Sequence, residues 1–155
     1  MKSIIIVDMQ NSFLNENNNY LIECINNYLE NNEFSNIFIT KCINDDDSPF
    51  RKILKYNEGY SHKIVINQPT NAIIFNKNGY GLNQKQIDLI KEKGIKEIEI
   101  CGTDIDACVL AIAFNLFDNG IKPIILSNLC DTSSKNKSLK NYSLEIIKRQ
   151  FGNYK

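Results

Sequence analysis

The stretch that decides the fold runs from Glu97 to Gly120 and reads EIEICGTDIDACVLAIAFNLFDNG. Its first residues favour a β-strand, the pattern breaks at Gly102, and a helix that carries Cys108 in its first turn is predicted to follow. The apolar residues of that helix recur at the spacing of a core-facing stripe: Val109, Ile112, Ala113, Leu116 and Phe117. A buried strand, a glycine turn and an apolar helix are the parts of a βα unit.

Cys108 stands where this strand has ended and the helix begins. Backbone N–H groups and the helix dipole stabilise a thiolate at such a position, so Cys108 is a candidate nucleophile. The alternative is that Cys108 is one more small buried residue, as most free cysteines are. This stretch alone leaves both interpretations open.

The same βα pattern continues on both sides of the stretch. Further strands are predicted at 3–7, 36–40, 72–75 and, after Pro123, up to Ser127-Asn128. Helices are predicted at roughly 18–31, from the capping box of Asn83 and Gln86 to Gly94, and at 139–151. The region 41–71 has a weaker pattern, with a short helix near 51–56 and either an edge strand or a packed loop at 64–66. We therefore predict a single domain over residues 1–155: an α/β fold with a three-layer, doubly wound, mainly parallel sheet and helices on both faces.

Composition narrows the possible functions. The chain has 155 residues, and its 18 basic side chains balance 18 acidic ones, which argues against a nucleic-acid or anionic-membrane surface. No segment of the sequence is apolar enough to predict a membrane span. Five cysteines without paired spacing fit a reducing cytoplasm better than a disulfide framework. A single histidine, His62, excludes most histidine-based chemistry.

Three chemically useful groups follow three predicted strands: Asp8, Lys77 and the turn from Gly102 to Cys108. The carboxyl ends of parallel strands meet at one edge of a sheet, so these groups are expected to converge. Asp8 can take the proton of a thiol, Lys77 can lower the pKa of that thiol, and backbone N–H groups can bind an oxyanion. Taken singly, Asp8 and Lys77 each have a commoner explanation, as a loop or cap residue and as a solvated turn residue.

Three segments in this order resemble the isochorismatase-like cysteine hydrolases, and the resemblance covers nearly the whole chain. They are Asp8–Phe13 (DMQNSF), Lys77–Tyr80 (KNGY) and Gly102–Val109 (GTDIDACV). The resemblance implies an Asp–Lys–Cys triad formed by Asp8, Lys77 and Cys108. It further implies hydrolysis of an amide-type C–N bond of a small molecule through a thioester, with no cofactor.

The resemblance also implies the surroundings of the triad. The N–H groups of Asp104 and Cys108 are expected to form the oxyanion hole, after a cis peptide bond between Thr103 and Asp104. Phe13, Tyr80 and Gln10 are the expected substrate-binding residues. Family resemblance and the unusually apolar helix after Cys108 together predict a homo-oligomer, with Phe114 as a candidate contact.

Departures from the family pattern bear on the substrate. Nicotinamidases of the family bind a metal through an Asp-x-His and a further histidine, whereas the corresponding segment 40–45 (TKCIND) has no histidine and His62 alone cannot form a usual zinc site. We therefore expect a metal-independent hydrolase other than a nicotinamidase. The family's isochorismate hydrolases generally lack the cysteine, so Cys108 argues against that reaction. The aspartate often found after the last strand corresponds in this interpretation to Asn128, and the short region 41–71 predicts a simpler, more open pocket.

Two other functions remain open at this stage. A catalytically silent isochorismatase-fold protein would bind a metabolite or a protein partner without turnover. A redox sensor pairing Cys108 with Cys101 or Cys130 is disfavoured, because their spacing is not that of a resolving pair.

Overall fold

In a computed structural model, which describes residues 2–60, 62–152 and 154–155, five strands form one parallel sheet. In chain order the strands are β1 (Ser3–Val7), β2 (Asn36–Cys42), β3 (Ile73–Lys77), β4 (Glu97–Gly102) and β5 (Lys122–Cys130). Their order across the sheet is β3-β2-β1-β4-β5. The predicted α/β fold with a parallel sheet is confirmed.

Within the described ranges, five α-helices connect and cover the strands. They are α1 (Leu21–Glu30), α2 (Pro49–Lys52), α3 (Gln84–Glu92), α4 (Leu110–Asp118) and α5 (Ser138–Phe151). In this strand order, right-handed crossovers place α1 on one face of the sheet and α3 and α4 on the other. Among the described residues, no helix is both long and apolar enough to cross a membrane.

The sheet centre is apolar on both faces, as its sequence predicts. Every residue of β1 is buried, and the stacked rings of Phe38 and Phe75, with centroids 5.1 Å apart, join β2 to β3. The capping box at the start of α3 is also confirmed, since Asn83 and Gln86 each accept a hydrogen bond from the backbone N–H of the other, at 3.0 Å.

In the region 41–71 the structure moves one predicted boundary and decides between two open alternatives. The short helix begins at Pro49, not near Arg51, because Ser48 caps it by accepting a hydrogen bond from the Arg51 N–H. Ile64 makes only an isolated antiparallel bridge with Gln10, so residues 64–66 are a packed loop.

The last strand is longer than predicted. β5 continues to Cys130 because its register shifts opposite Ile100 to Gly102, where Cys130 pairs with Gly102. The acidic residue that follows the strand is therefore Asp131, and the assignment of Asn128 to this position is wrong. The Asp131 carboxylate accepts a hydrogen bond of 2.6 Å from the Tyr20 hydroxyl and ties α1 to the end of β5.

Candidate active site

The carboxyl edge of the sheet brings the three predicted groups together. Asp8 follows β1 directly, Lys77 is the last residue of β3, and Cys108 lies in a π-helical turn (Ile105–Val109) after β4. Lys77 Nζ lies 2.7 Å from Asp8 Oδ2 and 3.2 Å from Cys108 Sγ. All three residues are at least nine-tenths buried, so the ammonium group bridges carboxylate and thiol away from bulk water.

Asp8 and Lys77 are each held by a further contact. Thr40 donates a hydrogen bond of 2.7 Å to Asp8 Oδ1 and accepts one of 3.1 Å from the Asp8 N–H, while Lys77 Nζ also donates to Gly79 O at 2.9 Å. Thr40 was not predicted as a site residue; the sequence hinted at this role only by placing Thr40 near the end of a strand. The position of the Asp8 carboxylate thus depends on a residue of β2, a strand that carries none of the three predicted groups.

The charges around Cys108 correct one expectation. Burial, and then the negative charge of Asp8, raise the pKa of the Cys108 thiol well above its usual 9.0, and Lys77 offsets this only in part. This direction disfavours the thiolate that was predicted, because burial acts first and the Asp8 charge opposes the effect of the ammonium group. For Lys77, burial lowers the pKa, but the electrostatic interaction with Asp8 and further interactions of the site outweigh burial and raise it above 10.5, so the ammonium group keeps its proton.

The turn between β4 and Cys108 requires a glycine. Gly102 has φ of 117°, and a Cβ atom there would lie 2.2 Å from the carbonyl oxygen of Val7. This close approach lets the Thr103 N–H donate to the same Val7 oxygen at 3.0 Å. The peptide bond between Thr103 and Asp104 is cis.

The π-helical turn presents the backbone at Cys108 in place of the predicted first turn of an α-helix. Asp104 O accepts hydrogen bonds from the N–H groups of Ala107 and Val109, both at 3.1 Å, on either side of Cys108. The Asp104 side chain is turned toward Ser133, whose hydroxyl donates to it at 2.7 Å. Such π-helical segments are frequent at functional sites because they change the direction of one residue within a helix.

A cavity of about 340 Å³ opens over Cys108. Phe13 and Tyr80 line it, as the sequence analysis expected. Five further lining residues come from the region 41–71: Cys42, Phe50, Leu54, Tyr56 and Tyr60. This region therefore builds one side of the cavity, and the expectation of a simpler or more open pocket stays a prediction. The only sequence signal was the presence of aromatic residues in a segment otherwise rich in loop formers.

The aromatic side chains of the wall contact one another. The ring of Tyr60 lies 4.7 Å from that of Phe13 and 5.6 Å from that of Tyr56. The ring of Phe50 stands nearly perpendicular to Tyr60 and to Tyr80, at 6.3 Å and 4.9 Å. These contacts connect the loop, the first motif and the end of β3 into one continuous wall.

Gln10 occupies a different place from the one expected. Its side chain is fully buried, and its amide both donates to Cys42 O at 2.9 Å and accepts from Cys42 N at 2.7 Å. Gln10 is also not among the described residues that line the cavity. We therefore assign Gln10 to holding the end of β2, where Cys42 faces the cavity, and not to substrate contact.

The side chains at the end of β2 do not fit a zinc site. Among the described residues, no group of three or more His, Cys, Asp and Glu side chains is arranged to hold a metal ion. Asn44, which ends the turn after β2, uses its side chain to accept from the Ser48 hydroxyl and to donate to Glu58 O. Burial raises the pKa of the Cys42 thiol to about 11.

Chemically, the arrangement suits attack on a carbonyl carbon. It combines a thiol, a carboxylate that can accept the thiol proton, a fixed cation between them and a turn of backbone N–H groups. Asp8, Asp104 and Cys108 line a cavity large enough for a small molecule.

Comparison with known proteins gives a consistent result. A family model described as "Isochorismatase domain" matches residues 2–154. No curated protein sequence matches the chain. A pyrazinamidase of Pyrococcus horikoshii in complex with zinc has a similar structure, with a TM-score of 0.82 and 18% identity over 97% of this chain and 96% of its own.

Two further solved structures are similar. An isochorismatase-like hydrolase from Alkaliphilus metalliredigens has a TM-score of 0.80 and 18% identity, covering 100% of this chain and 94% of its own. A nicotinamidase/pyrazinamidase from Bacillus subtilis has a TM-score of 0.73 and 17% identity, covering 99% and 98%. At these identities the structures establish the shared fold.

Proposed function

Because the chain belongs to the isochorismatase family, we propose that it is a cysteine hydrolase that cleaves an amide-type C–N bond of a small molecule. The observation that carries this proposal is the contact of Lys77 Nζ with both Asp8 Oδ2 and Cys108 Sγ beneath a cavity. Nucleophile, base and cation are the groups that covalent acyl transfer needs.

In the proposed reaction the raised pKa of Cys108 makes the base essential. Asp8 takes the Sγ proton as sulfur attacks the carbonyl carbon, and the oxygen that becomes negative accepts the N–H groups of Asp104 and Cys108. Asp8 then returns the proton to the departing nitrogen, the C–N bond breaks and a thioester remains on Cys108. A water molecule, deprotonated by Asp8, attacks the thioester and releases the carboxylic acid and the thiol.

Lys77 remains charged throughout this sequence. Its ammonium group keeps the Asp8 carboxylate ionised before attack and offsets part of the pKa elevation of Cys108. We also propose that the reaction needs no metal, since the Asn44 side chain is occupied by Ser48 and Glu58 and the donors around Cys42 do not form a ligand set.

The test is ammonia release from a panel of amides that includes nicotinamide, pyrazinamide and short aliphatic amides. Cys108→Ala is expected to lose at least ~1000-fold in kcat, because the covalent route disappears. Cys24→Ala, which removes a thiol from α1 on the outside of the sheet, is the matched control and should keep full activity. Mass spectrometry of the quenched reaction should find the acyl group on the Cys108 peptide.

Two results would overturn parts of this proposal. Full turnover by Cys108→Ala would contradict the thioester mechanism. Loss of activity on treatment with EDTA, restored by added zinc, would contradict the proposal that the reaction needs no metal. No turnover of any amide by the intact protein would favour the catalytically silent binding protein.

Self-association and cytoplasmic location stay predictions. Phe114, the candidate contact, is partly exposed and packs against Phe151 at 5.0 Å, next to the more exposed Phe117. We propose that this aromatic face forms a contact between copies of the chain, and a monomeric mass by light scattering at micromolar concentration would contradict it. All five cysteines are free thiols, which accords with a reducing compartment.

A further inference from the structure

The charged groups of the cavity do not balance. Two carboxylates, Asp8 and Asp104, are among its described lining residues, and none of those lining residues is a lysine or arginine. Lys77 lies beneath the lining and pairs with Asp8 at 2.7 Å, so these two charges cancel. The Asp104 carboxylate accepts from the neutral groups of Thr103 and Ser133 and has no cationic partner among the described residues. The lining of the cavity therefore holds one more carboxylate than the described cations beside it can pair with.

A second carboxylate on the same turn adds to this charge. Asp106 Oδ1 is buried and has no hydrogen-bond partner among the described residues. Asp106 lines a depression that shares Tyr80 and Ala107 with the cavity. Its charge also raises the pKa of Asp104, to which burial contributes most. A buried carboxylate oxygen without a partner is uncommon in folded proteins, and a water molecule, an ion or a ligand can supply that partner.

The opposite side of the cavity consists of aromatic rings. The Phe50 ring makes interplanar angles of 79° with the Tyr60 ring and 84° with the Tyr80 ring, and the Phe13 ring contacts the Tyr60 ring. Rings at right angles resemble part of an aromatic cage, whereas binding of a flat aromatic ligand between two rings requires that the two rings be parallel. Boxes of aromatic rings bind ammonium groups through the negative potential of the ring faces.

We propose that this cavity selects amides that carry a small organic cation, an ammonium group, next to the scissile carbonyl. The proposal rests on the proposed function, because it places the amide at Cys108. An anionic substrate would be placed near two carboxylates that no described cation pairs with, Asp104 in the lining and Asp106 in the adjoining depression. An ammonium group is attracted both by these carboxylates and by the faces of the lining aromatic rings.

A matched pair of probes isolates the charge. Trimethylammonioacetamide and 3,3-dimethylbutanamide have the same shape and differ in one atom, a quaternary nitrogen in place of a quaternary carbon. Binding is measured by calorimetry on Cys108→Ala, which keeps the cavity and cannot turn either amide over. The cation is expected to bind at least ~10-fold more tightly than the neutral amide. Equal affinity, tighter binding of the neutral amide or no binding of either overturns the proposal.

Variants in this Cys108→Ala background locate the selectivity. Tyr60→Leu and Asp106→Asn should each lower the ratio of the two affinities several-fold, because one removes a ring face and the other a charge. Tyr142→Leu on α5 and Asp118→Asn at the end of α4 are exposed and serve as matched controls that should leave the ratio unchanged. A ratio that neither cavity variant alters would overturn the placement of the cation.

Turnover by the intact protein separates the two proposals. Cation-selective binding without hydrolysis of either amide would contradict the hydrolase function and support the cation site. Hydrolysis of the neutral amide with a kcat/KM equal to or above that of the cationic amide would support the hydrolase function and contradict the cation selectivity.

Discussion

The floor and the wall of the cavity are built in opposite ways. The floor is Asp8, Lys77 and Cys108, which lie at the ends of β1 and β3 and just after β4 and are almost inaccessible to solvent. The wall comes from the segment 49–60, where Leu54 and Tyr56 are 61% and 40% exposed. Parallel ladders hold the floor in place, whereas side-chain hydrogen bonds around Asn44 hold the wall.

This difference separates chemistry from selectivity. Proton transfer between a thiol and a carboxylate needs fixed distances and little water, conditions that strand ends within a buried sheet provide. Recognition of a substrate needs a surface that can change without moving the reacting atoms, and a loop on the rim provides that. Changes to the floor should therefore abolish activity or stability, and changes to the wall should mainly alter KM.

The largest effect is expected for Lys77→Met. It leaves the Asp8 carboxylate buried without its cation and should cost about 3–5 kcal/mol in the free energy of unfolding, together with nearly all activity. Urea unfolding and ammonia release measure the two effects. Lys52→Met, which breaks the exposed pair of Lys52 with Asp47 at 2.6 Å, is the control and should change neither. A stable and active Lys77→Met protein would contradict the assignment of the floor.

Gly102→Ala should destabilise the protein by at least about 2 kcal/mol. The new Cβ would meet the backbone of Val7 at 2.2 Å, and φ of 117° disfavours any L side chain. The control is Gly79→Ala, because a Cβ at Gly79 meets nothing within 4 Å. Thermal unfolding of the two variants measures the difference, and equal stabilities would show that the turn before Cys108 can relax.

Asn44→Gly should weaken the contacts that hold the wall and leave the positions of the floor residues unchanged. Glycine tolerates the φ of 46° at this position but loses the contacts of the Asn44 side chain with Ser48 and Glu58. We expect KM to rise about tenfold with kcat little changed, corresponding to the ~1–3 kcal/mol cost of lost buried hydrogen bonds. Asn57→Gly, at an exposed site in the same loop, controls for added flexibility. A fall in kcat with unchanged KM would mean that the loop takes part in positioning the reacting groups.

The smallest expected effect is a pH dependence that originates in the floor. Since the pKa of Cys108 is raised above 9.0 in the folded protein, its contribution to stability is complete below that pH and is lost as the pH rises through the folded pKa. The unfolding free energy should therefore fall above pH 9, with a smaller fall in Cys108→Ala. Alkylation of native Cys108, located by mass spectrometry, should still accelerate above pH 9, and a plateau below pH 8 would show that Lys77 outweighs Asp8.

Much of the fold followed from local pattern. β1 was recognisable because four consecutive apolar, β-branched residues, Ile4 to Val7, indicate a strand buried on both faces, and α3 because its capping box and its closing glycine are local signals. The end of β5 was not recognisable, because its extension to Cys130 depends on pairing with Gly102 across a register shift. The helix near Pro49 was misplaced by two residues, although Ser48 and Pro49 are themselves a start signal.

The residue types at the strand ends could be read from local pattern, and with them the convergence of Asp8, Lys77 and Cys108, since parallel strands end at one edge. The raised pKa of Cys108, the contacts of Gln10 with Cys42 and the aromatic wall could not be read in this way. They arise from burial, charge pairing and ring contacts, which depend on distances between residues far apart in the chain. Strand and helix periodicity records which face a residue occupies, but not which neighbour it meets there.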